Sequence, residues 1–388
     1  MNRRNCLILC GILSLSACNS KDVRTGIPSI DIAEGLKETG NLKLSELASD
    51  PEIVLLESGA DSWFVNASSL SIGKKYMMIL DDMEKRIILF DRQGKYIRQI
   101  GRKGKGPGEF NNLHHAAMDP NEQFVFIHDG IGQKLIKYNT DGAFVGEVST
   151  KKVCFEEWFV DGIQFINDEQ FVLVTRRPRT PQKDYCSLPL LDLNMQVIKK
   201  ILPRPVDQRS KNARGQIFQG RQRIFYWEPE YDTVYTVTPK GSAIPTHTIA
   251  CSKNKETTNI RYVAEYGKYF FISGFDHDER YEVVYDQEKQ TMFRLNNGPE
   301  CDTSGKWISP TFTNDLFGIE PVFIQGYDPG IRRYIAWVFP EAISDSYDLA
   351  CIRSKKVRYP KIRDEIIRIS HDKKLSENRL MILLKPVD

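Results

Sequence analysis

The chain has 388 residues, with 54 Lys and Arg against 51 Asp and Glu and a formal net charge of +3. A charge this close to zero argues against a dedicated nucleic-acid-binding protein, which would show a basic stripe. A chain of this length ordinarily forms two or three domains.

The N-terminus has the features of a secretory signal peptide. Arg3 and Arg4 form a short basic patch, and an apolar run follows from Leu7 to Ala17. As a helix this run would rise only about 17 Å, which is too short for the roughly 30 Å hydrocarbon core of a membrane. A basic segment, a short apolar segment and small residues before a cleavage site predict a signal peptide over residues 1–17. A buried N-terminal helix is the alternative.

The residues Leu15-Ser16-Ala17-Cys18 resemble the bacterial lipobox. The resemblance implies that the Cys18 thiol is acylated and becomes the new N-terminus, so that residues 18–49 form a lipidated tether. Stable anchoring needs more than one acyl chain, such as palmitate, and bacterial lipoproteins carry several. The segment Asn19–Asp22 loosely resembles the export tag of Bacteroidetes surface lipoproteins. We therefore expect an outer membrane lipoprotein of the bacterial cell envelope, on its periplasmic or surface side.

Five cysteines remain once Cys6 and Cys10 leave with the signal peptide and Cys18 carries lipid. They are far apart and form no Cys-x-x-Cys pair, which argues against a zinc site. An odd number in an oxidising compartment leaves at least one free thiol. Burial as small apolar side chains is the favoured interpretation, and one long-range disulfide is the alternative. The five are Cys154, Cys186, Cys251, Cys301 and Cys351.

A repeat of about 48 residues runs through the chain. Ile87–Ile97 and Lys134–Val145 each consist of a strand pattern, a polar turn with a glycine and a second strand pattern. The glycine supplies the positive φ that a tight hairpin requires. The unit recurs more loosely, with turn positions at Gly94, Gly142, Met195, Gly241 and Lys289. A period near 48 built from short strands is typical of β-propeller blades, which have about four strands each.

The repeat predicts an all-β fold, a six-bladed β-propeller over residues 50–388. Its blades are predicted at about 63–100, 113–149, 158–201, 213–250, 261–296 and 305–353. The early strand Glu52–Leu56 and the late strand Arg379–Leu384 lack neighbours in sequence. We predict that they share one blade and close the ring, because closure removes exposed sheet edges. The charged segment 361–378 is predicted to lie mostly at the surface, with a short helix possible at Asp364–Ile369.

The segment Gly101–Phe110, with the sequence GRKGKGPGEF, resembles the linker between blades of NHL-type propellers. The chain as a whole resembles the Bacteroidetes six-bladed propeller lipoproteins, most strongly over residues 50–150. The Gly-Pro-Gly linker does not recur in later blades. The linker lacks the G-x-x-x-x-G-K-[ST] order of a phosphate-binding loop, so its glycines are interpreted as structural. Arg102, Lys103 and Lys105 would still be exposed at a face where propellers bind ligands, and could attract an acidic group.

Two adjacent histidines, His114 and His115, follow this linker at the start of an innermost strand. Neighbouring strand residues point to opposite faces, so at most one of the two would face the central channel. Both are candidate ligand-binding residues. A metal site would need partners such as His128, Asp119 or Glu109, and no spacing demands one. We therefore predict no metal ligands.

Acidic and aromatic residues each allow two interpretations. Asp81-Asp82 and Asp276–Glu279 could provide oxygen ligands for Ca²⁺, although solvated turns are the favoured interpretation. The numerous aromatic residues could stack on a sugar or peptide, although packing between blades is favoured. These aromatic residues are Trp158, Phe159, Tyr226, Trp227, Tyr231, Tyr281, Tyr285 and Trp337.

The sequence contains none of the common hydrolase or zinc-protease motifs, so no catalytic residue and no cofactor is predicted. The favoured function is a non-catalytic, lipid-anchored binding or scaffold protein of the envelope. It would recognise a peptide, glycan or protein partner on one propeller face. The alternative is a metal-dependent propeller hydrolase or lyase. Nucleic acid is not expected as a partner, since removal of residues 1–17 leaves 52 basic against 51 acidic side chains.

Overall fold

Six β-sheets stand around a central channel in the computed structural model. The structure describes residues 26–151, 160–175, 184–205, 215–228, 232–251, 258–295, 301–303, 312–320 and 322–387. The predicted signal peptide, Cys18, Cys154, Trp158, Phe159 and Tyr231 lie outside these residues.

The first three blades each contain four antiparallel strands in sequence order from the channel outward. Blade 1 contains β4 (Ala67–Ile72), β5 (Tyr76–Asp81), β6 (Arg86–Asp91) and β7 (Tyr96–Gln99). The linker forms β8 (Arg102–Lys103) and β9 (Glu109–Phe110). Blade 2 contains β10 (Leu113–Met118), β11 (Phe124–Asp129), β12 (Lys134–Asn139) and β13 (Phe144–Ser149). Blade 3 contains β14 (Val160–Phe165), β15 (Gln170–Thr175), β16 (Asp184–Asp192) and β17 (Val197–Pro205).

The next two blades continue the pattern. Blade 4 contains β18 (Gln216–Gln219), β19 (Ile224–Trp227), β20 (Thr233–Val237) and β21 (Ala243–Ala250). Blade 5 contains β22 (Thr258–Tyr266), β23 (Tyr269–Asp276), β24 (Glu279–Asp286) and β25 (Thr291–Leu295).

Blade 6 is assembled from both ends of the chain. It contains β26 (Phe323–Asp328), β27 (Arg333–Val338) and β28 (Leu380–Pro386), and its outermost strand is β3 (Ala48–Leu55). The strands β28 and β3 pair antiparallel, with Ile382 opposite Ile53. The predicted six blades and the predicted closure of the ring are both confirmed.

The tight turns between the third and fourth strands of the blades explain the repeat. Gly94 and Gly142 both have a φ of 85°, as the hairpin requires. Met195 accepts a φ of 62° in the corresponding turn of blade 3. In blade 5 the positive φ falls on Gln290, one residue after the predicted position.

Six apolar clusters fill the seams between neighbouring blades in the described part of the chain. Each blade contributes side chains from both faces of its sheet, because a lone blade cannot bury either face. The favoured interpretation of the aromatic residues is correct for those that the structure describes. Tyr226, Trp227, Tyr281, Tyr285 and Trp337 are all buried in these clusters.

The segment predicted as the end of a tether belongs to the folded body. β1 (Ser29–Asp31) adds in parallel to the outermost strand of blade 4, and β2 (Thr39–Gly40) adds to that of blade 5. A short helix, Ile32–Gly35, and a 3₁₀ turn, Leu44–Glu46, lie in the same segment. The predicted domain boundary at residue 50 is therefore wrong, because buried side chains such as Ile30 pack this segment against blades 4 and 5.

Three helices lie between the last two strands, at Pro340–Ser346, Leu349–Ser354 and Pro360–His371. The predicted helix therefore exists, and most residues of the segment 361–378 are exposed or half-buried, as predicted. Ile366, Ile367 and Ile369 are buried in the cluster between blades 5 and 6. An amphipathic helix with this stripe needs a core to cover it.

One disulfide joins Cys301 to Cys351, across 50 residues of sequence. The favoured interpretation of buried thiols is thus wrong for these two cysteines. It is correct for Cys186 and Cys251, which are buried and reduced. None of the described helices is long and apolar enough to cross a membrane.

Candidate functional site

The channel forms a cavity of about 490 Å³ lined by the innermost strands of all six blades. Its wall is rich in neutral polar side chains. These include Ser68, Ser69, Ser71, Gln164, Gln216, Gln219 and Gln325.

Several of these polar groups hold neighbouring blades together. Ser71 of blade 1 accepts a hydrogen bond from the backbone N–H of Met118 in blade 2, at 3.3 Å. Gln216 of blade 4 accepts one from Val263 of blade 5, at 3.0 Å. Gln325 of blade 6 donates to the carbonyl oxygen of Ala67 in blade 1, at 2.9 Å. The channel wall is therefore part of the closure of the ring.

Carboxylates at the end of the channel where the innermost strands finish also hold neighbouring blades together. Glu122 accepts backbone N–H groups of Lys75 and Tyr76 in blade 1, at 2.8 and 3.0 Å. Asp328 of blade 6 accepts from Ile72 of blade 1, at 3.2 Å. Burial raises the pKa of Asp328, although its backbone partners oppose this. Such fixed carboxylates are poorly placed to act on a substrate.

We define the front face as the end of the channel where the innermost strands begin, at Ala67, Leu113, Val160, Gln216, Thr258 and Phe323. At this face the outermost strand of each blade connects to the next innermost strand. The turns between second and third strands also lie there.

Buried carboxylates at the ends of the second strands hold the front-face connections. Asp81 accepts from the backbone N–H of Val65 at 2.8 Å and from that of Met83 at 3.1 Å. Asp129 occupies the matching position in blade 2 and accepts from Asn112 at 3.0 Å and Gly132 at 2.9 Å. Amide donors satisfy a carboxylate without any cation.

These contacts bear on the suggested calcium ligands. Asp81 is fully buried, so it is neither the solvated turn residue that the sequence favoured nor an open calcium ligand. Asp276 accepts from the Thr258 hydroxyl at 2.7 Å. Its neighbour His277 is exposed. Among the described residues, no three His, Cys, Asp or Glu side chains are grouped so that they could hold a metal ion.

The linker from blade 1 to blade 2 is a structured crossing. Gly101 and Gly108 have φ values of 66° and 70°, and Phe110 is buried. The Arg102 guanidinium contacts the Glu109 carboxylate at 2.7 Å. A backbone N–H from Gly106, together with Arg102, lowers the pKa of Glu109.

The three basic residues of the linker lie at the front face, outside the channel wall. Arg102 pairs with Glu109, whereas Lys103 and Lys105 are exposed. None of the three lines the cavity. The structure thus places these candidate ligand-binding residues at the rim of the front face.

The two adjacent candidate histidines lie at a β-bulge in β10. Leu113 lies opposite Asp129 and His115 lies opposite His128, so His114 is the extra residue. His115 lines the channel, and the His114 ring nitrogen is 3.0 Å from the Asn112 side-chain amide.

A third histidine, His128, lies beside this pair. Its ring centroid is 6.1 Å from that of His114. It is fully buried, and neither ring nitrogen has a hydrogen-bond partner in the described structure. Burial lowers its pKa to about 3, so the ring is neutral at neutral pH.

The front face is apolar, a feature not predicted from the sequence. Seven of the thirteen exposed large hydrophobic side chains among the described residues lie there. The exposed fraction reaches 65% for Met83 and 70% for Ile131. For Met83 and Ile131 the sequence shows an apolar residue in the middle of a polar turn, but not which face of the propeller that turn reaches. The seven are Trp63, Val65, Met83, Ile131, Phe275, Phe323 and Phe339.

Several solved structures are similar to this chain. A Bacteroides fragilis protein, named for its inferred export, superimposes with a TM-score of 0.64 at 15% identity, covering 94% of this chain and 100% of that chain. A member of the DUF4221 family from Bacteroides vulgatus gives 0.49 at 10% identity, covering 90% and 99%. The Cps50 (Swd1) β-propeller domain of Myceliophteria thermophila gives 0.39 at 13% identity, covering 73% and 95%.

A search of curated proteins finds no match. Residues 27–374 match the model of one protein family. The matched range includes the N-terminal segment that lies on blades 4 and 5. The chain therefore belongs to the family described as a domain of unknown function, DUF4934.

Proposed function

We propose that this protein is an exported, lipid-anchored binding protein that recognises a protein partner on the front face of its propeller. The concentration of exposed apolar side chains at this face carries the proposal. Exposed apolar side chains concentrated on one face of a protein are typical of an interaction site. Four of the seven side chains are aromatic and would suit a glycan as well as a protein. The aliphatic and thioether side chains of Val65, Met83 and Ile131 favour a protein partner.

The front-face apolar residues are held in place, which favours a preformed binding surface. Val65 and Met83 donate their backbone N–H groups to the two oxygens of one carboxylate, that of Asp81. Rigid apolar groups lose little conformational entropy on binding. Lys103 and Lys105 at the rim add positive charge that would attract acidic residues of the partner.

Two features support export and anchoring. The Cys301–Cys351 disulfide is typical of proteins in oxidising compartments. The lipobox-like residues before Cys18 support our proposal that this cysteine carries lipid and that the protein is located in the outer membrane.

Site-specific photo-crosslinking in the native host tests the binding surface. A benzophenone amino acid at position 83 or 131 should yield the same protein adduct. At position 244 it should yield none, because Ile244 is also apolar and more than half exposed but lies on the outermost strand of blade 4, away from the front face. Val65→Asp should abolish the adducts. Equal adducts at all three positions would overturn the proposal.

The hydrolase or lyase alternative requires a metal in the channel. Mass spectrometry of protein purified without chelator measures it directly. One bound equivalent of Ca²⁺ or Zn²⁺ per protein would overturn the binding proposal in favour of the metal-dependent hydrolase or lyase.

A further inference from the structure

The channel wall contains polar atoms that the closure of the ring does not use. Gln164 of β14 and Gln216 of β18 both line the cavity of about 490 Å³. Their strands are in direct contact, since a Cβ atom on Gly162 of β14 would lie 3.3 Å from the Ile217 side chain of β18. Cavities of several hundred cubic ångströms are typical of sites for small molecules. The channel is therefore large enough to hold one.

Backbone contacts fix the orientation of the two side-chain amides. Gln164 donates through Nε2 to the carbonyl oxygen of Phe165 at 3.0 Å, and Gln216 accepts through Oε1 from the N–H of Val263 at 3.0 Å. A carbonyl only accepts and an N–H only donates, so neither amide can be reversed. Gln164 thus retains an acceptor and Gln216 retains a donor, each without a partner among the described residues.

These two atoms are open to the channel. Both side chains line it and are half-buried, and neither atom belongs to the buried polar atoms that lack a partner in the described part of the chain. Ser69 lines the same wall, and its hydroxyl makes no hydrogen bond with a described residue. Separate donors and acceptors of this kind match the hydroxyl groups of a ligand, because a hydroxyl both donates and accepts.

The carboxylates of the wall argue against a charged ligand. Backbone N–H groups already engage those of Asp119, Glu122, Glu265 and Asp328. The fifth, Asp161, also has an interaction within the protein. Together these groups would repel an anion, and a cation would have to compete with the donors that hold them. A neutral ligand fits this wall best.

An aromatic ring completes the wall on the side of blade 5. Tyr262 lines the channel and is 37% exposed. Its hydroxyl is hydrogen-bonded to that of Tyr266, which donates to the carbonyl oxygen of Ile324 in blade 6 at 2.8 Å. The ring is therefore held at the wall. Small-molecule sites typically combine such an aromatic surface with a few fixed polar groups.

We propose that the channel binds a small neutral carbohydrate, a monosaccharide or a disaccharide. Gln164 accepts a hydrogen bond from one hydroxyl, Gln216 donates to another, and the Tyr262 ring packs against a C–H face of the sugar. This activity goes beyond recognition of a protein at the front face and does not depend on it.

A glycine in the wall provides a variant that closes the site. Gly326 of β26 lines the channel, its φ is not positive, and a Cβ atom there would meet no atom within 4 Å. Gly326→Phe should therefore fill part of the cavity without disturbing the blade. Gly146 is equally open and lies on β13, the outermost strand of blade 2, so Gly146→Phe is the matched control.

Saturation-transfer difference NMR of the full-length protein tests the site with glucose, galactose, mannose, N-acetylglucosamine, maltose and cellobiose. At least one of these sugars should bind, and glucuronate should bind more weakly than glucose because it is an anion. Gly326→Phe should abolish the signal and Gly146→Phe should leave it unchanged. Gln164→Met, which keeps the length of the side chain but removes its acceptor, should weaken affinity about tenfold.

Three outcomes would overturn the proposal. They are no signal from any of the six sugars, an equal signal in Gly326→Phe and wild type, and unchanged affinity in Gln164→Met. Circular dichroism of the variants confirms folding, and Gln164→Met still tests the site if Gly326→Phe does not fold. The crosslinks from positions 83 and 131 report on the front face separately, so that either proposal can fail without the other.

Discussion

His128 shows how a single residue links the fold to pH. Its pKa in the folded protein is about 3, against 6.5 for an ordinary histidine, because burial disfavours the charged ring. The unfolded chain therefore binds a proton more readily than the folded protein does. The stability contributed by neutral His128 is complete above pH 6.5 and is lost as the pH falls toward 3.

Replacement of this histidine should remove part of the acid sensitivity. Between pH 7 and pH 4.5, His128→Leu should lose roughly 3 kcal/mol less unfolding free energy than the wild type, since each pKa unit corresponds to about 1.4 kcal/mol. Urea unfolding at the two pH values measures this difference. His277→Gln is the control, because His277 is exposed. An equal loss in His128→Leu and wild type would contradict the prediction.

At the scale of elements, two features outside the blade repeat hold segments of the chain in place: the added N-terminal strands and the disulfide. The N-terminal segment adds parallel strands to blades 4 and 5 before it supplies the outermost strand of blade 6. The helix Leu349–Ser354 contains Cys351, and its disulfide to Cys301 closes a stretch of 50 residues. A cross-link of this kind limits the freedom of the unfolded chain.

Removal of the disulfide should therefore destabilise the protein without changing its fold. The double variant Cys301→Ala with Cys351→Ala should lose about 2–4 kcal/mol of unfolding free energy. Urea unfolding of oxidised and reduced protein measures this loss. A reducing agent should lower the wild type to the level of the variant and leave the variant unchanged. Equal stability of variant and oxidised wild type would show that the disulfide is dispensable.

At the scale of the whole molecule, the proposed anchor determines where the front face can meet a partner. Residue 26 lies only eight residues after Cys18, a span of at most about 28 Å. The chain enters the propeller at the outer edge of blade 4, where Ser29 pairs with Thr248. A lipid at Cys18 would thus hold the rim of the propeller close to the membrane.

Cys18→Ala should release the protein from the membrane. Acyl chains supply the only membrane affinity that we propose, so the variant should move from the membrane fraction to the soluble fraction of the envelope. Fractionation followed by immunoblotting measures this change, with Cys186→Ala as a control outside the lipobox. A Cys18→Ala protein that stays with the membrane would refute the anchor.

At the candidate site, the exposed linker could be predicted from the sequence, but the apolar front face could not. Arg102, Lys103 and Lys105 could be assigned to an exposed linker because their glycine neighbours form a local motif. Met83 and Ile131 are 48 residues apart in equivalent turns, and nothing local shows that both reach solvent at one face. The role of Asp81 likewise depends on Val65, which lies on a separate connection.

The sequence by itself determined the blade repeat, the number of blades and the closure of the ring. These features depend on short-range turn chemistry, as at Gly94 and Gly142, and on alternating apolar residues that must be buried. Only the tertiary structure decided that Cys301 meets Cys351 and that Ile30 packs on blades 4 and 5. Such contacts join residues whose distance in space is set by the closed ring, and no local pattern encodes that distance.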